Sequence, residues 1–434
     1  MSSTYHAIRL LKNDKTFKQG DVLVLFGELF SRGYATGLVE EAERRGMKII
    51  RTTVGRRDKD GALRPLTDEE AASIPQPFIN VPMEAGYDLE PDDQGVTPVD
   101  QLKEVKLSEW ENFEMNKASL EISKKKGRDR FQKNLRSYIQ QLASHIPAGA
   151  NVLFAHLMAG GVPRAKVVMP LMNRTVKGSG DRYLPSEKFS ESSIGQFCLQ
   201  SFFEVTAETF QFLVQETSAL RDQLQKQGGK VSYVAYGYHG TEVLMGQNYV
   251  WQSYSPYIQG WAKLRLENYA REFSQKGIKC AVYNCPEILT NSSAIFSGVE
   301  VALYPLLGAL RKEGSDSKRA QSSVDNCLTL LKPEVKLDDV LNYIKIYLTS
   351  DVIRTHCIFE KWPQHSSKIQ MEKMLEASDH LLTLHRDPKQ LMTFGLSEVV
   401  FEACGKVMMA DSPSPESPVS WINHDVIAKI HSVS

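Results

Sequence analysis

The stretch from residue 20 to 58 constrains the fold most. The apolar run Val22 to Phe26 opens into Gly27, Gly33 and Gly37, a helical pattern continues to Gly46, and a second β-type run covers Lys48 to Val54. A short apolar run bounded by turn signals reads as a strand covered on both faces. The segment is therefore expected to be strand, glycine-rich turn, helix and strand. Such a βαβ unit can seat a nucleotide pyrophosphate on the helix N-terminus, where backbone N–H groups and the helix dipole favour an anion. Five residues separate Gly27 from Gly33, so the common G-x-G-x-x-G spacing is absent. Glycine at both points still lets the backbone approach a phosphate. On these residues alone, an ordinary strand-to-helix turn of some other α/β protein competes with the cofactor reading.

Further β-type runs at Asn151 to His156, Lys230 to Ala235 and Ile278 to Tyr283 alternate with helical patterns. Strands separated by helices favour a Rossmann-like, doubly wound parallel sheet. The span from about 59 to 150 exceeds what one crossover helix needs. It carries a capping-box match at Thr67 to Glu70, a β-like run near Phe78 to Val81 and two expected helices, about 100 to 123 and 128 to 145, and reads as an enlarged crossover insertion. The run Lys124 to Lys126 is expected at a solvated helix end. Residues 312 to 319 resemble a linker, and the chain beyond them is mainly helical in pattern, with repeating apolar positions through Val340 to Leu348 and Met371 to Leu384. The expected organisation is a dinucleotide-binding domain over 1–311 and a helical C-terminal appendage over 312–434, whose last residues, from Trp421, pack back as a tail.

With 434 residues, 42% hydrophobic content and a formal net charge of zero, the chain fits a soluble globular class. A balanced charge argues against a protein held to nucleic acid by phosphate contacts. The six cysteines form no C-x-x-C pair, which argues against a zinc site and a disulfide framework. No export signal and no apolar run of about 18 residues is present, so a cytoplasmic enzyme without a membrane span is expected.

A second constellation spans 230 to 290. A strand ends at Tyr236, then Tyr249, Tyr254 and Tyr257 precede Lys263, and a later strand runs into Asn284-Cys285-Pro286. Ser255 and Pro256 suit a helix start. A tyrosine near a fixed ammonium has its ionised form favoured, which helps it lend a proton to a developing oxyanion and recover it. These tyrosines could also be packing aromatics, and Lys263 a surface lysine.

Here the residues resemble the short-chain dehydrogenase/reductase superfamily, and within it the enoyl-acyl-carrier-protein reductases. Gly27-x5-Gly33-Tyr34-Ala35-Thr36-Gly37 is similar to that group's G-x5-S-I-A loop, with Gly33 where those enzymes have serine. Gly260-Trp261-Ala262-Lys263 is similar to their G-x-A-K segment, Tyr236 to their first active-site tyrosine, and Pro286 to Thr290 to the segment that contacts the nicotinamide amide. The Tyr-Lys spacing departs from the common Y-x3-K and Y-x6-K. Tyr254 gives Y-x8-K and Tyr257 gives Y-x5-K, and the former, favoured here, resembles a divergent class of enoyl reductases.

The resemblance implies Tyr254 or Tyr257 as acid, Lys263 on the cofactor ribose, and Tyr236 shaping the pocket. It also implies cofactor contacts from Gly27, Ser31, Gly33, Tyr34, Ala35, Lys263, Pro286 and Thr290, and a homo-oligomer, dimer or tetramer, formed through the Tyr- and Lys-bearing helices. No acid stands at the end of the second expected strand, whereas Arg56 and Arg57 follow it after Gly55. Two arginines suit a 2′-phosphate, so NADP(H) is expected over NAD(H). The expected function is reduction of an enoyl, or less favourably a keto, acyl thioester. The rival is a catalytically silent, dinucleotide-binding regulatory or scaffold protein.

Overall fold

The computed structural model describes residues 4–254, 258–290 and 297–433. The expected helix start at Ser255 and Pro256, and the candidate Tyr257, lie outside the described residues. Eight strands form one sheet: β1 (Ala7–Ile8), β2 (Val22–Phe26), β3 (Lys48–Thr53), β4 (Phe78–Pro82), β5 (Val152–His156), β6 (Val231–Tyr236), β7 (Cys280–Asn284) and β8 (Val419–Ile422). Their order is β1-β8-β7-β6-β5-β2-β3-β4, and every neighbouring pair is parallel. The chain steps outward from β2 to β4 and returns to β5 on the other side of β2. That reversal opens a crevice at the carboxyl ends of β2 and β5, the usual ligand position in a doubly wound sheet.

The five expected strands form because their apolar runs are buried on both faces. Leu23 and Leu25 enter one core with Ile49, Leu153 and Val234, while Val22, Val24 and Phe26 enter the other with Ile50, Phe154 and Tyr233. Helix α1 (Tyr34–Arg44) lies in the first layer, α2 (Lys117–His145) and α3 (Ile258–Gln275) in the second.

The two helices expected in the insertion are one 29-residue helix, α2, preceded by a short turn at Pro98–Gln101. Gly127 falls inside this helix, where its bare Cα is needed for packing, since a Cβ there would lie 2.7 Å from the Tyr87 Cβ. The lysine run is accordingly in mid-helix, with Lys124 paired to Glu121 at 2.6 Å and Lys126 to Asp93 at 2.9 Å.

The segment after 312 is mainly helical and also completes the sheet. It supplies α4 (Thr393–Asp411), then β8, inserted between β1 and β7, then α5 (His424–Val433). One hydrophobic core runs without interruption from Ile8 to Ile430, so residues on both sides of 311 share it. A Cβ on Gly37 of α1 would stand 1.8 Å from the Phe401 carbonyl oxygen of α4, and one on Gly405 would stand 2.1 Å from the Gly37 oxygen. Gly37→Ala is therefore expected to push the helices apart at a cost of about 1–3 kcal/mol, the usual range for overpacking. Denaturant unfolding reads this directly, and an unchanged midpoint would show that the two helices yield freely.

Candidate active site

The crevice is bounded by the loop from Gly27 to Gly33. Gly27 ends β2 at φ +121, and a Cβ there would press to 3.1 Å on Leu157 after β5; its N–H donates to Thr52 Oγ1 at 3.0 Å. Gly33 is the N-cap of α1, with extended backbone and no side-chain cap, and the first turn of α1 carries no acid. A Cβ on Gly33 would meet nothing within 4 Å. The end of α1 is thus bare of side chains and of negative charge, as an anion requires. Ala35 comes next, half-buried in the first turn, and Ser31 is exposed on the loop. Gly37, read with the loop from sequence, serves the contact between α1 and α4.

Tyr236, Tyr254 and Lys263 lie around the carboxyl ends of β6 and β7. Tyr34, the first residue of α1, stacks on Tyr236 with ring centroids 5.5 Å apart, and its hydroxyl donates to the Pro286 carbonyl oxygen. Tyr254 is 7% exposed, donates to the Cys285 carbonyl oxygen and packs on Tyr238 at 5.0 Å. Lys263, from α3, is buried and donates to the Tyr236 carbonyl oxygen at 2.6 Å. Among the described residues the Tyr236 hydroxyl is buried with no hydrogen-bond partner, which is unusual unless a ligand supplies one. Thr290, four residues beyond Pro286, is half-buried. Tyr249 is elsewhere: it lies on a hairpin, donates to Asp425 at 3.0 Å and sits under Arg9.

The electrostatics differ from the expectation that Lys263 lowers the tyrosine pKa. Burial pushes Tyr254 well above its ordinary value, and the nearby Glu287 and Cys285 add to the rise. Lys263 is pulled down to about 8 by burial. Tyr254 is consequently a neutral phenol near neutral pH, able to donate a proton.

Beneath these groups is a buried polar cluster that sequence reading missed. Glu267 of α3 accepts from Asn284 Nδ2 at 3.0 Å and from Arg271 at 3.0 Å, with His239 Nδ1 at 3.4 Å. Asn284 closes β7 immediately before Cys285 and Pro286, and its Oδ1 accepts the His239 N–H at 2.7 Å. Burial would raise Glu267, but the hydrogen bonds from His239 and Asn284 and the charge of Arg271 hold it below its ordinary value. Helix α3, expected at a subunit interface, is covered by this chain's own segment 193–216: Tyr269 donates to Glu208 at 2.8 Å and Arg265 pairs with it at 2.6 Å.

On the other side of the glycine loop a cleft of about 250 Å³ is lined by Glu28, Val54, Glu84, Met158 and Gly161, among others. Arg56 and Arg57 stand beside it with their guanidinium groups already engaged. Arg56 forks onto both oxygens of Glu28 at 2.9 and 3.0 Å; Arg57 contacts Glu84 at 2.7 Å and Glu90 at 3.1 Å. Glu28 also accepts from the Thr53 hydroxyl at 3.0 Å. Glu28 carries no signal in the sequence, because a ribose-binding acid is expected at the end of the second strand, whereas Glu28 comes from the glycine loop and reaches that strand's end through space.

Residues 4–431 match the family model described as "Enoyl-acyl carrier protein reductase FabMG". Among solved structures, an apo structure of FabMG, described as a novel type of enoyl-acyl carrier protein reductase, is 43% identical with a TM-score of 0.95, covering 100% of this chain and 99% of that one. An NADH-bound structure of FabMG is 38% identical with a TM-score of 0.79, covering 99% and 98%. No curated protein matches the chain. The NADH-bound relative overturns the expected preference for NADP(H), and the physical reason is visible here. Arg56 and Arg57, assigned to a 2′-phosphate, are neutralised by Glu28, Glu84 and Glu90.

Proposed function

This chain belongs to the FabMG family of enoyl-acyl carrier protein reductases, and from that premise we propose that it reduces the conjugated double bond of an enoyl thioester, carried on acyl carrier protein, with NADH as donor and Tyr254 as acid. Family membership makes the chain an NAD(P)H-dependent oxidoreductase and sets aside the silent scaffold. The observation that carries the finer reading is the convergence of Tyr236, Tyr254, Lys263 and Pro286 at adjacent strand ends, beside a bare helix N-terminus.

The residues fit a dinucleotide. The uncapped start of α1, with Gly27 and Gly33, would hold the pyrophosphate. Lys263 and the unpartnered Tyr236 hydroxyl would serve the nicotinamide half, and Glu28 the adenosine ribose. When bound, NADH supplies the hydride. Hydride at the β carbon of the thioester leaves an enolate, and Tyr254, kept protonated by burial, gives its proton to the α carbon. The buried cluster around Glu267 fixes the end of β7, so that Cys285 and Pro286 keep their carbonyls in place.

Glu28 is the proposed determinant of NADH use, because it holds Arg56 away from a 2′-phosphate and keeps a lone pair on Oε1 for a ribose hydroxyl. Burial would raise Glu28, but the hydrogen bond and charge of Arg56 outweigh it and lower its pKa, so the carboxylate is ionised at neutral pH. Glu28→Gln should shift the ratio of kcat/KM for NADPH over NADH upward by about ten- to a hundredfold, given about 1.5–3 kcal/mol for a hydrogen bond to a charge. The test is steady-state kinetics with both cofactors on a crotonyl thioester. An unmoved ratio would remove Glu28 from cofactor choice.

A further inference from the structure

Resting on Tyr254 as acid, we propose that Glu287 returns the proton to Tyr254 after each turnover, across a small polar cavity that the two side chains share. The cavity measures about 30 Å³ and is lined by Tyr254, Glu287, Gln252, Gln370 and His356, among others. That is room for a single water with several polar partners. Glu287 comes directly after Pro286, on the segment leaving β7, so it is built into the same strand end as the rest of the site.

Among the described residues, the groups facing Glu287 bring no cation to its carboxyl. From α3's approach comes Tyr254; from α1, Tyr34; from helices of the C-terminal half, Glu300 and Tyr347; and from the turn after Arg354, Cys357 and the half-buried His356. Glu300 is itself buried and accepts from the Ser378 hydroxyl. Among the described residues no lysine or arginine lines the cavity. Burial and the charge of Glu300 raise Glu287 to about 8, so it is a neutral acid at neutral pH and a stronger acid than the buried phenol.

The proton count closes. The Tyr254 O–H bond breaks as its proton joins the substrate's α carbon. The phenolate takes the proton of the Glu287 carboxyl through the intervening water, and the carboxylate, unfavourable beside Glu300, is reprotonated from solvent past His356. No electrons move in this step, since the reduction is complete once hydride is added.

The test is kcat against pH, in light and heavy water, for wild type, Glu287→Gln, Glu287→Asp and Tyr254→Phe. In wild type kcat should fall as pH rises through about 8. Glu287→Gln should lower kcat about tenfold or more, within the scale of proton-transfer catalysis, with KM for the thioester unchanged, a larger solvent isotope effect and no decline near that pH; Glu287→Asp should keep most of the rate. A Gln variant with wild-type kcat and the same alkaline decline would overturn the relay and assign the decline to Lys263. Loss of activity in Tyr254→Phe beside a wild-type-like Gln variant would refute the relay alone, whereas an active Tyr254→Phe would refute the reading of Tyr254 beneath it.

Melting adds a readout independent of turnover. Because the folded pKa of Glu287 is raised, the stability it contributes is full below the ordinary carboxylate range and is lost as pH rises through the folded value. Glu287→Gln, neutral at every pH, should therefore gain melting temperature over wild type at alkaline pH and not at acid pH. The opposite trend would contradict a neutral acid at this position.

Discussion

Tyr254→Phe should lower kcat on an enoyl thioester by about 10²–10⁴-fold, the range over which a positioned proton donor acts, while leaving the fold intact. The substitution removes one oxygen from a side chain that is already 7% exposed, so the ring can keep its place against Tyr238. The group that disappears is the hydroxyl bonded to the Cys285 carbonyl, and losing one neutral hydrogen bond costs only about 0.5–1.5 kcal/mol. The loss should fall on kcat more than on KM, because the proton is needed in the transition state and not for binding. Tyr257→Phe is the control. If the x8 spacing is the working one, that variant should stay within severalfold of wild type, and the reverse pattern would move the acid to Tyr257.

Glu267→Ala should destabilise the protein by about 3–5 kcal/mol, the cost of breaking a buried ion pair and leaving its partners unsatisfied. Glu267 is completely buried and satisfies His239, Asn284 and Arg271 together. His239 cannot move aside readily, since its ring is sandwiched against Trp362 at 3.9 Å and Phe359 at 4.7 Å. The lowered pKa sets the sign of the pH dependence. A carboxylate depressed in the folded state stabilises the fold above its unfolded pKa, and that stability is lost as pH falls through the folded value. Wild type should thus lose stability on acidification through the carboxylate range, and the variant, lacking the group, should show a flatter acid limb from a lower starting point. Urea unfolding at several pH values measures both. A loss well under 1 kcal/mol would mean that water replaces the carboxylate without cost.

The parts of the fold legible in the sequence are those where burial on both faces writes a continuous apolar run, as in Val22 to Phe26. Strand β1 has two residues, too few for any period to register, and β8, with Ser420 and Trp421, reads equally as a tail. Gly127 and Gly37 show a different limit: each is demanded by a neighbour distant in sequence, Tyr87 or Phe401, that only the packed structure reveals. The candidate site divides in the same way. Tyr236, Tyr254, Lys263 and Pro286 carry recognisable spacing and converge in space. Arg56 and Arg57 have the side chains of a phosphate site, but their carboxylate partners are up to 33 positions away, so the sequence shows as free a charge that the fold pairs with Glu28, Glu84 and Glu90. Glu267, Asn284 and His239 carry no motif, and only burial marks them.

The most direct test is to follow NADH oxidation and product mass with a trans-enoyl thioester of acyl carrier protein, using NADH deuterated at the transferable position, for wild type and Tyr254→Phe. The expected result is stoichiometric NADH loss, deuterium at the β carbon of a saturated acyl product, and near-complete loss of turnover in the variant. NADH bound without oxidation, or undiminished deuterium transfer by Tyr254→Phe, would contradict an enoyl reductase that works through this tyrosine.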